Sequence, residues 1–267
     1  MATTSKDRGR ALITGASGGI GLELAREFAV NGHPVILAAR NEAKLQEVAG
    51  ELTRTHAVET AVIACDLGER DGPAALFDEV GRRNLDVDIL VNNAGVMETG
   101  AFAEADPHAL LGIVRLNVEA LTALTSLFLK PMVGRGKGSI LNVASLAGFQ
   151  PLPSMAVYAA SKAYVLSLTE ALAEELRGKG VTVTALCPGF TDTNMVESAK
   201  RENAAFQVLP SALIADPKSV AREGYRACMN GDVIRVPGLA LQMATGLIQA
   251  QRSITRTLTG LLGRRAL

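Results

Sequence analysis

Short apolar runs alternate along the chain with longer segments in which apolar residues recur every three or four positions. The runs lie at 11–14, 34–39, 59–65, 87–91, 139–144, 181–187 and 233–236. Most are apolar at nearly every position, which is typical of strands in a parallel sheet that helices cover on both faces. We therefore predict a strand at each position.

The segments between these runs have the apolar spacing of amphipathic helices. Asn31-Gly32 marks the end of the first helix, and Asp216-Pro217 marks the start of the last. The predicted helices span 20–30, 42–53, 72–83, 103–132, 155–178 and 216–229. This alternation predicts an α/β fold: a Rossmann-type doubly wound parallel sheet of about seven strands with helices on both faces.

No linker rich in Pro, Gly or Ser interrupts the alternation, so we predict one dinucleotide-binding and catalytic domain over 1–267 with its core at 8–236. Residues 188–210 form a long connection of the kind that often serves as a lid. Residues 238–267 carry apolar residues at helical spacing, four arginines and no acidic residue. This tail could cover the active site, build a dimer interface or contact an anionic membrane, and packing on protein is the favoured alternative.

The composition narrows the class of protein. Lys and Arg number 27 and Asp and Glu also number 27, so bulk positive charge for nucleic-acid binding is absent. Apolar residues make up 48%, no apolar run reaches the length of a membrane span, and the polar start lacks the core of a secretory signal. The three cysteines are far apart and fit neither a disulfide framework nor a metal site, so we expect a cytoplasmic protein without a metal.

A glycine-rich loop stands between the first predicted strand and the first helix. Such a loop can bind a pyrophosphate, because bare backbone N–H groups and a helix N-terminus both attract the anion. We assign the tight turn to Gly15, the approach of the pyrophosphate to Gly19 and the close packing of the helix to Gly21, with Ser17 and Ile20 between them. The spacing differs from the standard dinucleotide fingerprint, so a glycine-rich turn without a ligand stays open.

The end of the second predicted strand indicates which cofactor binds. NAD sites usually carry an Asp or Glu there for the ribose 2′-hydroxyl, whereas this chain reads Ala38-Ala39-Arg40. A guanidinium binds a 2′-phosphate that a carboxylate would repel. The sequence therefore favours NADP(H), the alternative being that Arg40 is merely a solvated residue at a helix start.

Tyr158 and Lys162 are four residues apart on one predicted helix, so they share a face. An ammonium near a phenol lowers the pKa of the phenol and makes it an acid–base catalyst. Ser145 ends the fifth strand, at the sheet edge where ligands bind in this architecture. Asn117 lies inside the long helix, where a buried amide needs partners. An isolated Tyr-x-x-x-Lys more often lies at the border between the apolar and polar faces of an amphipathic helix and has no catalytic role. This pair, however, is not isolated.

In this order the motifs resemble those of the compact, single-domain branch of the short-chain dehydrogenase/reductase family, over about residues 8–236. The matching pieces are Thr14-Gly15…Gly19-Ile20-Gly21, Cys65-Asp66-Leu67, Asn92–Gly95, Asn117, Ser145, Tyr158…Lys162 and Pro188-Gly189…Thr193. The resemblance implies an NADP(H)-dependent carbonyl reductase or alcohol dehydrogenase. It also implies assembly into homodimers or homotetramers through the helices at 103–132 and 155–178.

The resemblance implies a role for each matching residue. Tyr158 would be the general acid in reduction and the base in oxidation, and Ser145 would orient the carbonyl. Lys162 would bind the nicotinamide ribose and lower the pKa of Tyr158, and Asn117 would hold a water of a proton relay. Around the cofactor, Asp66 and Leu67 would lie at the adenine, Asn93 along its ribose, and Pro188, Gly189 and Thr193 at the nicotinamide, where Thr193 would hold the carboxamide.

Candidate walls of the substrate pocket are apolar. They are Val96, Met97, Phe149 and Phe190, with 149–155 and the apolar residues Met195, Val196, Phe206, Val208 and Leu209. We therefore expect a hydrophobic ketone or secondary alcohol, unless these side chains pack on the body of the protein. Two other functions stay open: an NADP(H)-binding sensor without turnover, which the complete Asn-Ser-Tyr-Lys set disfavours, and a membrane-surface protein that uses the tail.

Overall fold

Seven parallel strands form one sheet in a computed structural model that describes residues 8–202, 214–238, 241–243, 245–246, 252–253 and 255. The strands are β1 Ala11–Thr14, β2 Val35–Ala39, β3 Thr60–Ala64, β4 Ile89–Asn92, β5 Gly138–Val143, β6 Val181–Leu186 and β7 Ile234–Arg235. Their order is β3-β2-β1-β4-β5-β6-β7, so the direction of winding reverses between β1 and β4. This is the doubly wound order, and it confirms the predicted fold class and all seven strands to within two residues.

Helices cover both faces of the sheet. They are α1 Gly19–Val30, α2 Glu42–His56, α3 Gly72–Arg82, α4 Pro107–Val114, α5 Leu121–Arg135, α6 Ala156–Glu175, α7 Asn194–Glu202 and α8 Pro217–Asn230. Buried Phe28 of α1 and Leu45 of α2 pack on one face, and buried Leu76 of α3 and Phe128 of α5 pack on the other. Burial of each such side chain contributes about 1.5–3 kcal/mol, so the two faces form two sizeable cores.

The long helix predicted at 103–132 is divided in the structure. A short 3₁₀ turn, Phe102–Glu104, precedes α4, which begins at Pro107 after the side chain of Asp106 accepts a hydrogen bond from the backbone N–H of His108 at 3.0 Å. Residues Arg115–Ala120 between α4 and α5 are π-helical. π-Turns inside helices are frequent at functional sites, and this one contains Asn117.

Among the described residues, Pro107–Arg135 is long and apolar enough to cross a membrane by length and composition, with a mean hydropathy of 1.4 and 33% of that window buried. Arg115, Asn117 and Glu119 interrupt it, and Asn117 is buried in the core. Leu111 and Val133 are the exposed large apolar residues of this segment. Assembly through this region stays a prediction.

Two segments outside the regular alternation are described in part. In the predicted lid, Thr191 forms a parallel bridge with Ala215 and α7 follows, whereas the candidates Phe206, Val208 and Leu209 lie outside the described residues. In the tail, Leu241 packs against the buried cluster that contains Ala144 and Cys187. Leu241 therefore packs on the domain, whereas Met243 is exposed, and the role of the tail stays a prediction.

Candidate active site

The glycine loop has a backbone that requires glycine. Gly15 and Gly19 have φ angles of +67° and +56°, which L side chains rarely adopt. A Cβ on Gly21 would lie 2.4 Å from the carbonyl oxygen of Gly15, so glycine alone lets α1 begin this close to the loop. A Cβ on Gly18, the N-cap of α1, would meet no atom within 4 Å, which leaves space in front of the helix N-terminus. Ser17 and Ile20 lie between these positions, half-buried.

Thr14 and Asn93 hold the glycine loop to the loop after β4. The Thr14 hydroxyl donates to the carbonyl oxygen of Val91 at 3.1 Å and accepts from the backbone N–H groups of Asn93 and Ala94 at 2.9 and 3.0 Å. The Asn93 amide donates to the carbonyl oxygen of Thr14 at 2.9 Å. Asn93 therefore positions the loop itself, while its contact with a ribose stays a prediction. The sequence analysis assigned no role to Thr14, although its polar side chain ends an otherwise apolar strand.

Arg40 and Asp66 lie at the carboxyl edge of the sheet, on the same side of the molecule as the glycine loop. Arg40 is exposed and directly follows β2, and the last residues of that strand, Ala38 and Ala39, carry no acid. Asp66 is exposed after β3 and accepts from the backbone N–H of Gly68 at 2.9 Å, while Leu67 is buried in the core. A glycine loop at a helix N-terminus, with an exposed guanidinium at the same sheet edge, fits a dinucleotide with a 2′-phosphate.

Tyr158, Lys162 and Ser145 lie close together at the ends of β5 and the start of α6. Tyr158 and Lys162 are 9% and 6% exposed, and the Lys162 Nζ is 5.7 Å from the centroid of the Tyr158 ring. The Lys162 ammonium donates to the carbonyl oxygen of Val143 at 2.8 Å. The Ser145 hydroxyl lies beside the Tyr158 phenol, donates to the Pro188 carbonyl oxygen at 3.4 Å and accepts from the backbone N–H of Ala147 at 3.1 Å.

Burial controls the protonation of this group. It raises the pKa of Tyr158, and the hydrogen bond from Ser145 opposes that rise only in part. Burial lowers the pKa of Lys162 to about 8. The expected lowering of the Tyr158 pKa by Lys162 is therefore not what this structure shows, because desolvation of the phenolate is the largest effect on that pKa. At neutral pH Tyr158 keeps its proton, as a proton donor must.

The Asn117 side chain binds the backbone of Val96, close to Lys162. Its Oδ1 accepts from the backbone N–H of Val96 at 2.9 Å, and its Nδ2 donates to the Val96 carbonyl oxygen at 2.9 Å and to the Ser161 Oγ at 3.1 Å. Both amide hydrogens are thus in use, so a relay water would have to be held by an oxygen atom of Asn117. A Cβ on Gly95 would lie 3.1 Å from Oδ1 and 3.6 Å from the Lys162 Nζ, which explains the glycine at this position.

An apolar cluster surrounds the Tyr158 side chain. Its buried members include Ala147, Met155 and Ala199, the last from the predicted lid, and its half-buried members are Met97, Leu152 and Phe190. Met97 and Phe190 were predicted as pocket walls, and Val96 is held beside them by Asn117. Sequence reasoning missed Ala199, because a small residue in a helix carries no signal of its own.

Phe149 does not join this cluster. It ends the 3₁₀ turn Leu146–Phe149, and this turn directs it to a separate cluster with Leu168 and Leu241, under the guanidinium of Arg252. A cavity of about 310 Å³ also borders Tyr158, between 98–113 and 154–158, and none of the four predicted wall residues lines it. Its walls include Met155, Leu110 and Ile113 and the exposed acids Glu98, Glu104 and Asp106.

The segment after β6 joins the two ends of the site. Buried Pro188 accepts from the backbone N–H of Leu146 at 2.9 Å, next to Ser145. A Cβ on Gly19 would lie 3.2 Å from the Thr193 Cγ2, so Thr193 lies over the glycine loop. Residues 188–193 therefore run from the reaction centre to the phosphate end of the site, which is formed by the glycine loop.

A buried polar network lies behind these loops. The Asn92 amide donates to the Asn142 Oδ1 at 2.9 Å and to the Thr125 Oγ1 at 3.0 Å, and the Asn142 amide donates to the Thr169 Oγ1 at 3.0 Å. The network ties β4 and β5 to α5 and α6. Sequence analysis did not predict it, although asparagines inside apolar strands were the available signal.

Comparison with known proteins agrees with this geometry. A family model described as short chain dehydrogenase matches residues 10–204. The chain is 41% identical over 202 residues to a putative ketoacyl reductase of Streptomyces coelicolor, a match that covers 75% of this chain and 76% of the relative. It is 36% identical over 196 residues to a very-long-chain 3-oxoacyl-CoA reductase of Anas platyrhynchos, covering 71% of this chain and 62% of the longer relative.

Among solved structures, the chain is similar to a short-chain dehydrogenase from Sphingobium yanoikuyae in complex with NADPH. The TM-score is 0.83 and the sequence identity is 29%, over 92% of this chain and 94% of the other. The likeness therefore extends well beyond the residues that the family model matches.

Proposed function

The chain belongs to the short-chain dehydrogenase/reductase family, and from this premise we propose that it is an NADP(H)-dependent oxidoreductase that interconverts a hydrophobic ketone and its secondary alcohol. One observation carries the proposal: a protonated Tyr158 lies beside Ser145 and next to a buried Lys162, inside an apolar cluster. A sensor that only binds a nucleotide needs no phenol in such a setting.

The residues at the phosphate end support NADP(H) as the cofactor. Arg40 supplies a positive charge at the end of β2, where no carboxylate is present to repel a 2′-phosphate. The glycine loop and the N-terminus of α1 would hold the pyrophosphate. The similar Sphingobium protein binds NADPH, which supports the same choice here.

Each residue of the reaction centre has a separate task in reduction. The cofactor, when bound, supplies the hydride. Tyr158 donates its proton to the carbonyl oxygen, and Ser145 hydrogen-bonds that oxygen and keeps it beside the phenol. Lys162 stabilises the phenolate that Tyr158 becomes after the transfer. Asn117 acts on the opposite wall by fixing the backbone of Val96.

The surroundings of Tyr158 support the proposed substrate class. Met97, Leu152 and Phe190 offer apolar contacts, and Ala199 brings the lid helix onto the phenol side of the site. A ligand that replaces these contacts must itself be apolar near the reacting carbon. The ketoacyl and 3-oxoacyl-CoA reductases to which the chain is similar act on carbonyls of acyl chains, which supports this class.

A substrate panel tests the proposal. Purified protein is mixed with NADPH and with apolar ketones, aldehydes, 3-oxoacyl thioesters and charged sugars, and the absorbance of NADPH is followed. We expect turnover with apolar ketones or 3-oxoacyl thioesters and little with charged sugars. Tight NADPH binding without turnover of any of them would contradict the proposal and favour the nucleotide sensor.

The rate of reduction should fall above about pH 8, the pKa to which burial lowers Lys162. Above that pH Lys162 becomes neutral and no longer stabilises the Tyr158 phenolate that forms as the carbonyl is protonated. We expect kcat/KM for reduction to be level between pH 6 and 7.5 and to fall by up to about tenfold per unit above 8. Oxidation of the alcohol needs the phenolate and should instead rise with pH.

Lys162→Arg is the control for this profile, because a guanidinium stays charged far above pH 8. Whatever its absolute rate, its reduction profile should lose the break near pH 8. A wild-type reduction rate that climbs through pH 8 would show that Lys162 does not control the step.

A further inference from the structure

We propose that Arg252 is a positioning residue: paired with Glu170, it fastens the C-terminal segment across the two loops that carry Ser145 and Gly189. This inference rests on the proposed function for its kinetic part alone. Its structural part, a segment held across those loops by one ion pair, is independent of turnover.

The first contact is a partly enclosed ion pair between residues 82 positions apart. Glu170 lies on α6, two turns beyond Lys162, and is only 7% exposed. The Arg252 guanidinium donates from Nε to the Glu170 Oε2 at 2.9 Å, and its Nη2 also binds that oxygen. A carboxylate this buried is unfavourable without a partner, so the segment that brings Arg252 is held to α6.

The second contact reaches the loop after β5. The Arg252 Cζ is 5.9 Å from the centroid of the Phe149 ring, within the range of a cation–π interaction. Phe149 ends the turn whose N-cap is Ser145, the residue beside the Tyr158 phenol. Arg252 thus joins α6 to the turn that holds the Ser145 hydroxyl.

The third contact reaches the loop after β6. A Cβ on Gly189 would lie 3.1 Å from the Leu241 Cδ1 and 3.4 Å from the Leu146 Cδ1, so these two leucines meet at Gly189. The two loops are also hydrogen-bonded to each other, from the Leu146 N–H to the Pro188 carbonyl oxygen. Leu241 therefore covers the point where the loops meet.

Shared elements connect this arrangement to the reaction centre. Glu170 and Lys162 lie on the same helix, and Cys187, which follows β6, is buried in one cluster with Phe149 and Leu241. The ion pair and Lys162 are thus joined through α6 and through the two loops. A change in the pair is therefore expected to move the reacting groups more than the glycine loop, which lies at the other end of 188–193.

The test compares wild type with Arg252→Met, Arg252→Lys and Glu170→Gln. Methionine at 252 keeps apolar contact with Phe149 but loses the ion pair. Lysine keeps the positive charge but lacks the planar guanidinium group, whose N–H groups can donate several hydrogen bonds at once. Arg222→Met, an exposed arginine on α8, is the control for charge removal. Hydrogen exchange of 145–150 and 187–193, kcat and KM for the best ketone of the panel, and the Kd for NADPH are measured on each.

We expect faster exchange in both loops of Arg252→Met and a fall in kcat of about tenfold, with a smaller rise in the NADPH Kd because 188–193 also reach the glycine loop. Arg252→Lys should recover part of kcat, and Arg222→Met should match wild type. The double variant Glu170→Gln, Arg252→Met should be no worse than Arg252→Met alone, because it removes the unpaired carboxylate.

Unchanged exchange in both loops would overturn the proposal, whatever the kinetics. Faster exchange with an unchanged kcat would overturn the positioning role and leave a purely structural one. If Arg252→Met does not fold, the same measurements on Arg252→Lys and Glu170→Gln test the proposal. If wild type turns over no substrate, the proposed function fails, and the exchange data still decide whether the ion pair holds the loops.

Discussion

Replacing Tyr158 by phenylalanine is expected to lower kcat by about a thousandfold and to change the Kd for NADPH by less than about threefold. The change removes one oxygen atom, the proton donor, and positioned general acids contribute about 10²–10⁴-fold. The ring itself stays packed among Ala147, Met155 and Ala199, so the fold should persist. Single-turnover oxidation of NADPH with an apolar ketone measures the chemical step, and NADPH fluorescence measures binding.

Tyr164→Phe is the matched control, because Tyr164 lies on the same helix and its hydroxyl binds the Thr122 Oγ1 at 2.9 Å at the surface. Its rate should stay within about twofold of wild type, as expected for a surface substitution. Near-normal turnover by Tyr158→Phe would show that another group supplies the proton. A Tyr158→Phe variant that also loses NADPH binding would show that the hydroxyl serves the fold or the cofactor site instead.

The sheet could be predicted because its strands are apolar on both faces. Ile13, Leu37 and Leu141 are fully buried, and runs of such residues leave few alternatives to a covered parallel strand. The start of α4 was predicted too early, at 103, although Asp106-Pro107 is the same signal that correctly marked Asp216-Pro217 as the start of α8. A continuous apolar pattern outweighed a local capping signal that should have been used.

Only those features of the candidate site that depend on local sequence patterns, such as helix spacing and strand ends, could be predicted. The four-residue spacing of Tyr158 and Lys162 placed them on one helix, and strand ends placed Ser145 beside them. The direction of the Tyr158 pKa shift could not be predicted, because it depends on how deeply the ring is buried. Phe149 shows the same limit: one short turn decides which cluster a side chain joins.

Contacts between distant segments lay beyond the sequence pattern altogether. Arg252 could be read only as one of four positive charges in an amphipathic tail, and Glu170 as one acid of a helix. Their pairing depends on how the tail crosses the folded domain, which no periodicity encodes. The same is true of Asn93, whose amide is taken up by the glycine loop.

Arg40→Ala should weaken NADPH binding by about 10- to 100-fold and NADH binding by less than about threefold. The estimate follows from about 1.5–3 kcal/mol for hydrogen bonds between charged groups, which the 2′-phosphate of NADPH makes and NADH cannot. Because Arg40 is exposed and follows β2, its removal should leave the fold and the reaction centre intact. With NADPH at saturation, kcat should therefore equal that of wild type.

Arg40→Asp should go further and reverse the preference, since a carboxylate at the end of β2 repels the 2′-phosphate and accepts a hydrogen bond from the ribose 2′-hydroxyl. Arg54→Ala, which removes an exposed arginine from α2, is the control for a general loss of positive charge and should affect both cofactors equally and slightly. The decisive quantity is the ratio of the two dissociation constants, because any loss of folded protein cancels in it. A ratio unchanged by Arg40→Ala would make Arg40 a solvated surface residue and would leave the cofactor preference without a residue to explain it.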